Sequence, residues 1–213
     1  FTDTDLFQKK NIYNQKQQKQ NNFIIGVVGR ICYEKGHHNA IETVFILKQL
    51  GFTNIELHIV GYTNLMEKEW DTENYIIMLK KIIKKYNLEK NIIFHNFKNN
   101  MVPVYSSFDI LILPNEWQEP FGKVIIEAMA MRLPVIAVNS GACPEIITHK
   151  KTGFLYPQGN NKSLANYIKI LITNRKIIHK FGLEGRKRVV RHFSLKKKIK
   201  DLESAYDELF KKK

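Results

Sequence analysis

The sequence predicts an α/β fold, a doubly wound parallel sheet, and three observations predict it. Short apolar runs without a polar break end at Gly or Pro, stretches of helical period separate them, and the connections between are brief. Strand and helix in alternation with short links favour parallel strands joined by right-handed crossovers, with helices on both faces. A chain of 213 residues buries roughly 70% of the surface its unfolded form exposes, so neither a disulfide nor a structural metal is required. Cys32 and Cys143, with no C-x-x-C pair, exclude a disulfide framework and a zinc ribbon.

Residues 1–22 hold nine Asn or Gln and four Lys with few apolar positions, which reads as a polar linker or disordered N-terminal segment. The domain is expected over 23–213. Phe23-Ile24-Ile25-Gly26-Val27-Val28 reads as a strand buried on both faces and ending at Gly29. A helix follows over 38–50, with Ile41, Val44 and Phe45 at helical spacing and Gly51 closing it. Strands are then expected at 55–60, 91–94, 109–113, 134–138 and 153–155. Helices are expected at 72–86, 102–107, 122–131, 162–173 and through most of 175–213. Ligands of such sheets sit outside the carboxyl ends of the strands.

The net charge is +14, and residues 175–213 carry fourteen basic and five acidic residues. A basic tail attracts anionic partners. It lacks the interleaved aromatics of a stacking platform, so no nucleic acid is expected. Solvated helix surface is the favoured reading, with an anionic membrane surface as the alternative. No apolar run approaches the length that spans a bilayer, and no signal peptide opens the chain, so a cytoplasmic protein, docked at a membrane only peripherally if at all, is expected. Position 1 is Phe rather than Met, and an excerpt of a longer protein is expected.

Two loops at strand ends carry the chemistry. In the first, Gly29 allows a tight turn, and Arg30 and Lys35 follow; this is neither G-x-G-x-x-G nor a P-loop. A guanidinium beside an ammonium suits two neighbouring phosphates, although both residues could equally be surface cations of a basic protein. In the second, Glu119-Pro120-Phe121-Gly122-Lys123 leads into a helix that carries Glu127. The amides of Phe121, Gly122 and Lys123, at the positive end of the helix dipole, make an anion site. Glu119 precedes that helix, and Glu127 lies about one and a half turns inside it. An acceptor on each side of an anion site suits a ligand with hydroxyls on both sides of a diphosphate.

The stretch from Glu119 to Glu127 resembles the E-x7-E signature of glycosyltransferase family 4, retaining enzymes of the GT-B fold. The resemblance covers nearly all of 23–213 and corresponds to the C-terminal, donor-binding half. Further segments agree in the family's order: Gly29-Arg30 with Lys35-Gly36, Ile59-Val60-Gly61, the run from Ser107 to Pro114, Gly141-Ala142-Cys143-Pro144-Glu145, and Thr152-Gly153-Phe154-Leu155. It implies a Rossmann-like sheet and a nucleoside-diphosphate sugar as donor, with no cofactor and no metal. It further implies that Glu119 holds the transferred sugar, Glu127 the ribose, and Arg30 and Lys35 the diphosphate, with Gly29, Pro120, Phe121, Gly122 and Lys123 around them. The acceptor, a glycan, lipid or protein, and the N-terminal half that completes the enzyme are left open.

The sequence departs from the family at Asn115, at Gly141-Ala142 and at Phe94-His95-Asn96. Asn96 is expected to take the left-handed conformation of the usual glycine and, with Phe97, to line the base pocket. Plainer readings stand beside these. Glu119 would then be a helix-start acid, and Glu127 a surface partner of Lys123. The near-continuous apolar surface of the helix around Glu127 argues against the latter, because a buried carboxylate needs partners. Two other function classes remain: a nucleotide-binding module without turnover, and a basic domain docking on an anionic membrane.

Overall fold

The computed structural model describes residues 1–7, 22–61 and 72–211. Its strands are β1 (Phe23–Val28), β2 (Ile55–Gly61), β3 (Ile92–Asn96), β4 (Ile110–Leu113), β5 (Val135–Val138) and β6 (Gly153–Tyr156). They form one sheet in the order β3–β2–β1–β4–β5–β6, every adjacent pair parallel. The expected doubly wound α/β fold is therefore present, with its topological switch point between β1 and β4. Unbroken apolar runs become strands covered on both faces: β4 and β5 are buried throughout, and β1 through Val27. The edge strand β3 is instead half-exposed.

The helices are α1 (His37–Gln49), α2 (Thr72–Lys85), α3 (Val102–Ser107), α4 (Lys123–Ala130), α5 (Cys143–Ile146), α6 (Asn161–Thr173), α7 (Arg175–His192) and α8 (Leu195–Lys211). α1 packs with α2 and α6, while α4 packs with α7. Right-handed crossovers running in opposite directions from the switch point put these two groups on opposite faces. The core is formed from both layers: Ile41, Val44, Leu47 and Ile168 from one, and Ile125, Met129, Phe181 and Val189 from the other. The basic tail is two helices, broken at Phe193 and Ser194, and most of its cations are exposed. Among the described residues no helix is long and apolar enough to cross a membrane.

The linker expected over 1–22 is corrected at its start. The Thr2 amide donates to Phe193 O (3.1 Å), and the Leu195 amide donates to Thr2 O (3.1 Å), so the segment is stitched into the α7–α8 junction. Phe7 is buried in the core, where it packs edge-on against Tyr105. Arg186 of α7 donates to Phe7 O (2.7 Å) and Thr4 O (3.2 Å). Backbone carbonyls caught by a half-buried guanidinium hold a segment whose side chains alone would not. Positions 8–21 of the expected linker lie outside the described residues.

Two short elements were not legible in the sequence: the single 3-10 turn Tyr33–Lys35 and α5. The other boundaries agree to within two residues.

Candidate active site

The loops after β1 and β4 flank the switch point, where a crevice opens between strands whose crossovers diverge. In the first loop the 3-10 turn Tyr33–Lys35 closes with the Gly36 amide donating to Tyr33 O (2.9 Å) and leads straight into α1. It points Lys35 back across Gly29 toward the second loop. There the Lys35 ammonium meets Glu119 Oε2 at 2.8 Å.

Glu119 is held from several sides. Besides Lys35, Asn115 Nδ2 donates to Oε2 (3.0 Å) and the Gly122 amide donates to Oε1 (3.1 Å). Burial pushes its carboxyl pKa up, but Lys35, the Gly122 amide and Asn115 outweigh burial and hold it below the usual value. Gly122, just ahead of α4, has φ 74°, and a Cβ there would press Ile146 Cδ1 at 2.5 Å. Gly141, with φ 56°, lies against the Glu119 backbone, where a Cβ would stand 2.7 Å from the Glu119 nitrogen. The Ala142 amide donates to Glu119 O at 2.8 Å. The loop into α5 therefore braces Glu119 from behind, which gives Gly141-Ala142 its role. The Gly122 amide, expected to be free for an anion, is occupied by Glu119 itself.

Glu127 lies on the inward side of α4, 8% exposed. Its Oε2 accepts from the Tyr105 hydroxyl at 2.8 Å, and its Oε1 is 3.8 Å from the Lys123 ammonium. The surface reading of Glu127 is thus set aside. It opens into a cleft of about 500 Å³ whose walls include Gly29, Arg30, Phe97 and Lys123, with Leu6, Phe7 and Tyr105 also contributing. A second hollow of about 530 Å³ is lined by Gln118, Glu119, Pro120, Phe121, Gly141 and Glu145, among others. The single crevice implied by the sequence is therefore two hollows, one lined by Glu127 and Arg30 and the other by Glu119.

Of the expected site residues, Gly29, Arg30, Phe97, Lys123 and Glu127 share the first hollow, and Glu119, Pro120 and Phe121 the second. Lys35 and Gly122 meet at Glu119. Asn96 is a correction: it ends β3 in strand conformation, paired with Gly61 and exposed, so it is neither left-handed nor part of either hollow. Strand pairing with β2 carries β3 two residues further than its apolar run, which leaves no turn at Asn96.

Sequence reasoning missed Tyr105, Leu6 and Phe7. It also missed a polar support under the second loop: His38 Nε2 and Asn39 Nδ2 meet Glu116 Oε1 at 3.1 and 2.7 Å, tying the start of α1 to that loop. The neighbouring His37 is fully buried without a well-formed hydrogen bond, and burial pushes its pKa down to about 4. Cys32 is half-buried, and burial followed by Glu34 pushes its thiol up to about 11, which keeps it protonated and unreactive at neutral pH. Among the described residues no group of three His, Cys, Asp or Glu is placed to hold a metal ion. Lys151, Lys187, Arg188, Arg191 and His192, with Glu184, gather round a small depression of about 140 Å³.

Comparison with known proteins shows the family and agrees with the fold. The family described as Glycosyl transferases group 1 matches residues 8–188. The capsular polysaccharide biosynthesis glycosyltransferase CapM of Staphylococcus aureus is 29% identical over 211 residues, covering 96% of this chain and 53% of CapM. The chain thus spans about half the length of that relative. The crystal structure of the C-terminal domain of LpcC, a glycosyl transferase group 1 family protein from Francisella tularensis, superposes with TM-score 0.77 at 25% identity. The match covers 92% of this chain and 100% of that one. Anabaena Alr3699/HepE in complex with UDP-glucose shares the fold with TM-score 0.85 at 24% identity, over 97% of this chain and 56% of that one.

Proposed function

The chain belongs to the group 1 glycosyltransferases, and from that premise we propose that its site binds a nucleoside-diphosphate sugar, whose anomeric carbon exchanges its bond to the diphosphate for one to an acceptor with the anomeric configuration retained. One observation carries the proposal: Lys35, Glu119 and the Gly122 amide converge at the switch point, beside a cleft that holds Arg30 and Glu127. When the bond between the anomeric carbon and the phosphate oxygen breaks, its electron pair leaves with the diphosphate. The sugar is left oxocarbenium-like, so stabilising the departing anion is the largest catalytic contribution available. Arg30, Lys35 and the N-terminus of α4 supply it. Two cations suffice for this neutralisation, and the reading calls for no metal.

Glu119 takes donors that an anion would take, the Lys35 ammonium and the Gly122 amide. An entering diphosphate replaces it on Lys35 and the Gly122 amide, which frees the Glu119 oxygens for hydroxyls of the sugar. Glu127 accepts from the ribose. The acceptor, a glycan, lipid or protein, is held by residues outside this chain, so the chain by itself binds nucleotide and transfers nothing. Measurable transfer by the chain alone would contradict that.

Calorimetric titration with UDP, GDP and ADP tests the reading, and UDP is the first choice because the HepE complex of like fold contains UDP-glucose. One nucleotide should bind, and Glu127→Ala should weaken it about tenfold or more, the value of a hydrogen bond to a charged group. Unchanged affinity in Glu127→Ala would remove Glu127 from the ribose.

A further inference from the structure

Resting on the ribose role just proposed for Glu127, we infer that Tyr105 is a positioning residue: it aims one oxygen of the Glu127 carboxylate at a ligand hydroxyl, and Phe7 braces it. The two oxygens of Glu127 are unequal. Oε2 is taken by the Tyr105 hydroxyl at 2.8 Å, whereas among the described residues Oε1 has no hydrogen-bond donor and lies 3.8 Å from the Lys123 ammonium, beyond hydrogen-bond length. Lys123 is 69% exposed and sits one turn away on the same helix, so an untethered Glu127 side chain would swing toward it and toward water. The tyrosine prevents this swing. Pinning Oε2 leaves Oε1 as an acceptor at the cleft wall, where only a donor such as a hydroxyl completes it.

Tyr105 is built for that task. It is 1% exposed, in α3. Burial first, and then the neighbouring Glu127 charge, push its pKa well above that of a free phenol, so the hydroxyl keeps its proton and remains a donor. Its ring is fixed from two sides: Phe7 stands edge-on at 6.1 Å and Phe108 edge-on at 6.5 Å. Phe7 is anchored in turn through its carbonyl by Arg186. Leu6 and Phe7 line the cleft that Tyr105 and Glu127 also line. The segment ahead of the first strand is therefore part of the site, and a chain of contacts runs Arg186, Phe7, Tyr105, Glu127, ligand. The chemistry this selects is a hydroxyl-bearing pentose: a ribonucleotide over its dideoxy counterpart.

The test uses the full chain. UDP, GDP and ADP are titrated first, and the tightest is paired with its 2′,3′-dideoxy analogue. The unmodified protein should prefer the ribonucleotide about tenfold, and Tyr105→Phe should lower ribonucleotide affinity by about 3–10-fold. The same variant should leave dideoxynucleotide affinity within about twofold, because its ring still packs against Phe7 and Phe108. Phe7→Leu should give the same selective loss in milder form. Equal losses for both nucleotides, or no loss for either, would overturn the positioning role, since a merely structural tyrosine cannot tell the two sugars apart. Absence of any ribonucleotide preference in the unmodified protein would instead overturn the ribose role of Glu127, and this inference with it.

Discussion

Glu119 condenses the site into one carboxylate. Two of its three donors, Lys35 and the Gly122 amide, are the groups proposed to receive diphosphate, so its charge competes with the ligand while its oxygens wait for the sugar. Glu119→Gln is expected to keep or tighten nucleoside-diphosphate affinity. Sugar transfer, measured in an enzyme that pairs this chain with the other half its relatives possess, should fall about 10–100-fold. Equal losses in affinity and turnover would take Glu119 away from the sugar. The two glutamates were legible because their spacing straddles a loop and a helix start, both of which Pro120 and Gly122 announce. Tyr105 was not, because it meets Glu127 across 22 residues of chain, a contact that no local pattern encodes. Asn96 misled for a related reason: β-pairing with Gly61 settled its conformation, not its own preference.

Elements reveal where periodicity suffices and where it fails. β1, β4 and β5 were readable as apolar runs because both their faces are covered, and α4 as a helix because Gly122 opens it and its buried side is almost wholly apolar. Residues 1–7 follow no period, and what holds them is Arg186 reaching backbone carbonyls. That kind of interaction leaves no mark in the order of side chains. Arg186→Ala should therefore release the segment at a cost of about 1–3 kcal/mol. Amide exchange at Thr2 and Phe7 should accelerate, while β4 and β5 stay protected. Exchange unchanged at Thr2 and Phe7 would mean that Phe7 packing alone secures them. The α7–α8 junction, which pairs with Thr2, should loosen together with the segment.

For the molecule as a whole, a buried histidine and two half-buried carboxylates predict how stability responds to acid. His37 has its folded pKa lowered from 6.5 to about 4, so the unfolded chain binds its proton first. Stability should then begin to fall as pH drops below about 6.5, and this contribution should be fully lost near pH 4. Glu119 and Glu56 have folded values below the ordinary 4.5. The stability they add is present above that value and lost as pH falls through their lowered ones. Urea midpoints measured from pH 7 to pH 3 should decline in these two stages, and His37→Phe should flatten the first. An undiminished first stage in that variant would assign it to another group. The doubly wound sheet was legible in the sequence, whereas its switch point between β1 and β4 is seen only in the strand order of the structure, and it is also what delays completion of the site. Lys35 and Glu119 are 84 residues apart, and β2 and β3 lie between β1 and β4 in the chain although β4 is the neighbour of β1 in the sheet. Closing so distant a contact comes late in folding. A partly folded chain, however helical, therefore has no seat for a diphosphate, and nucleotide capture during refolding would serve as a clock for the last step rather than the first.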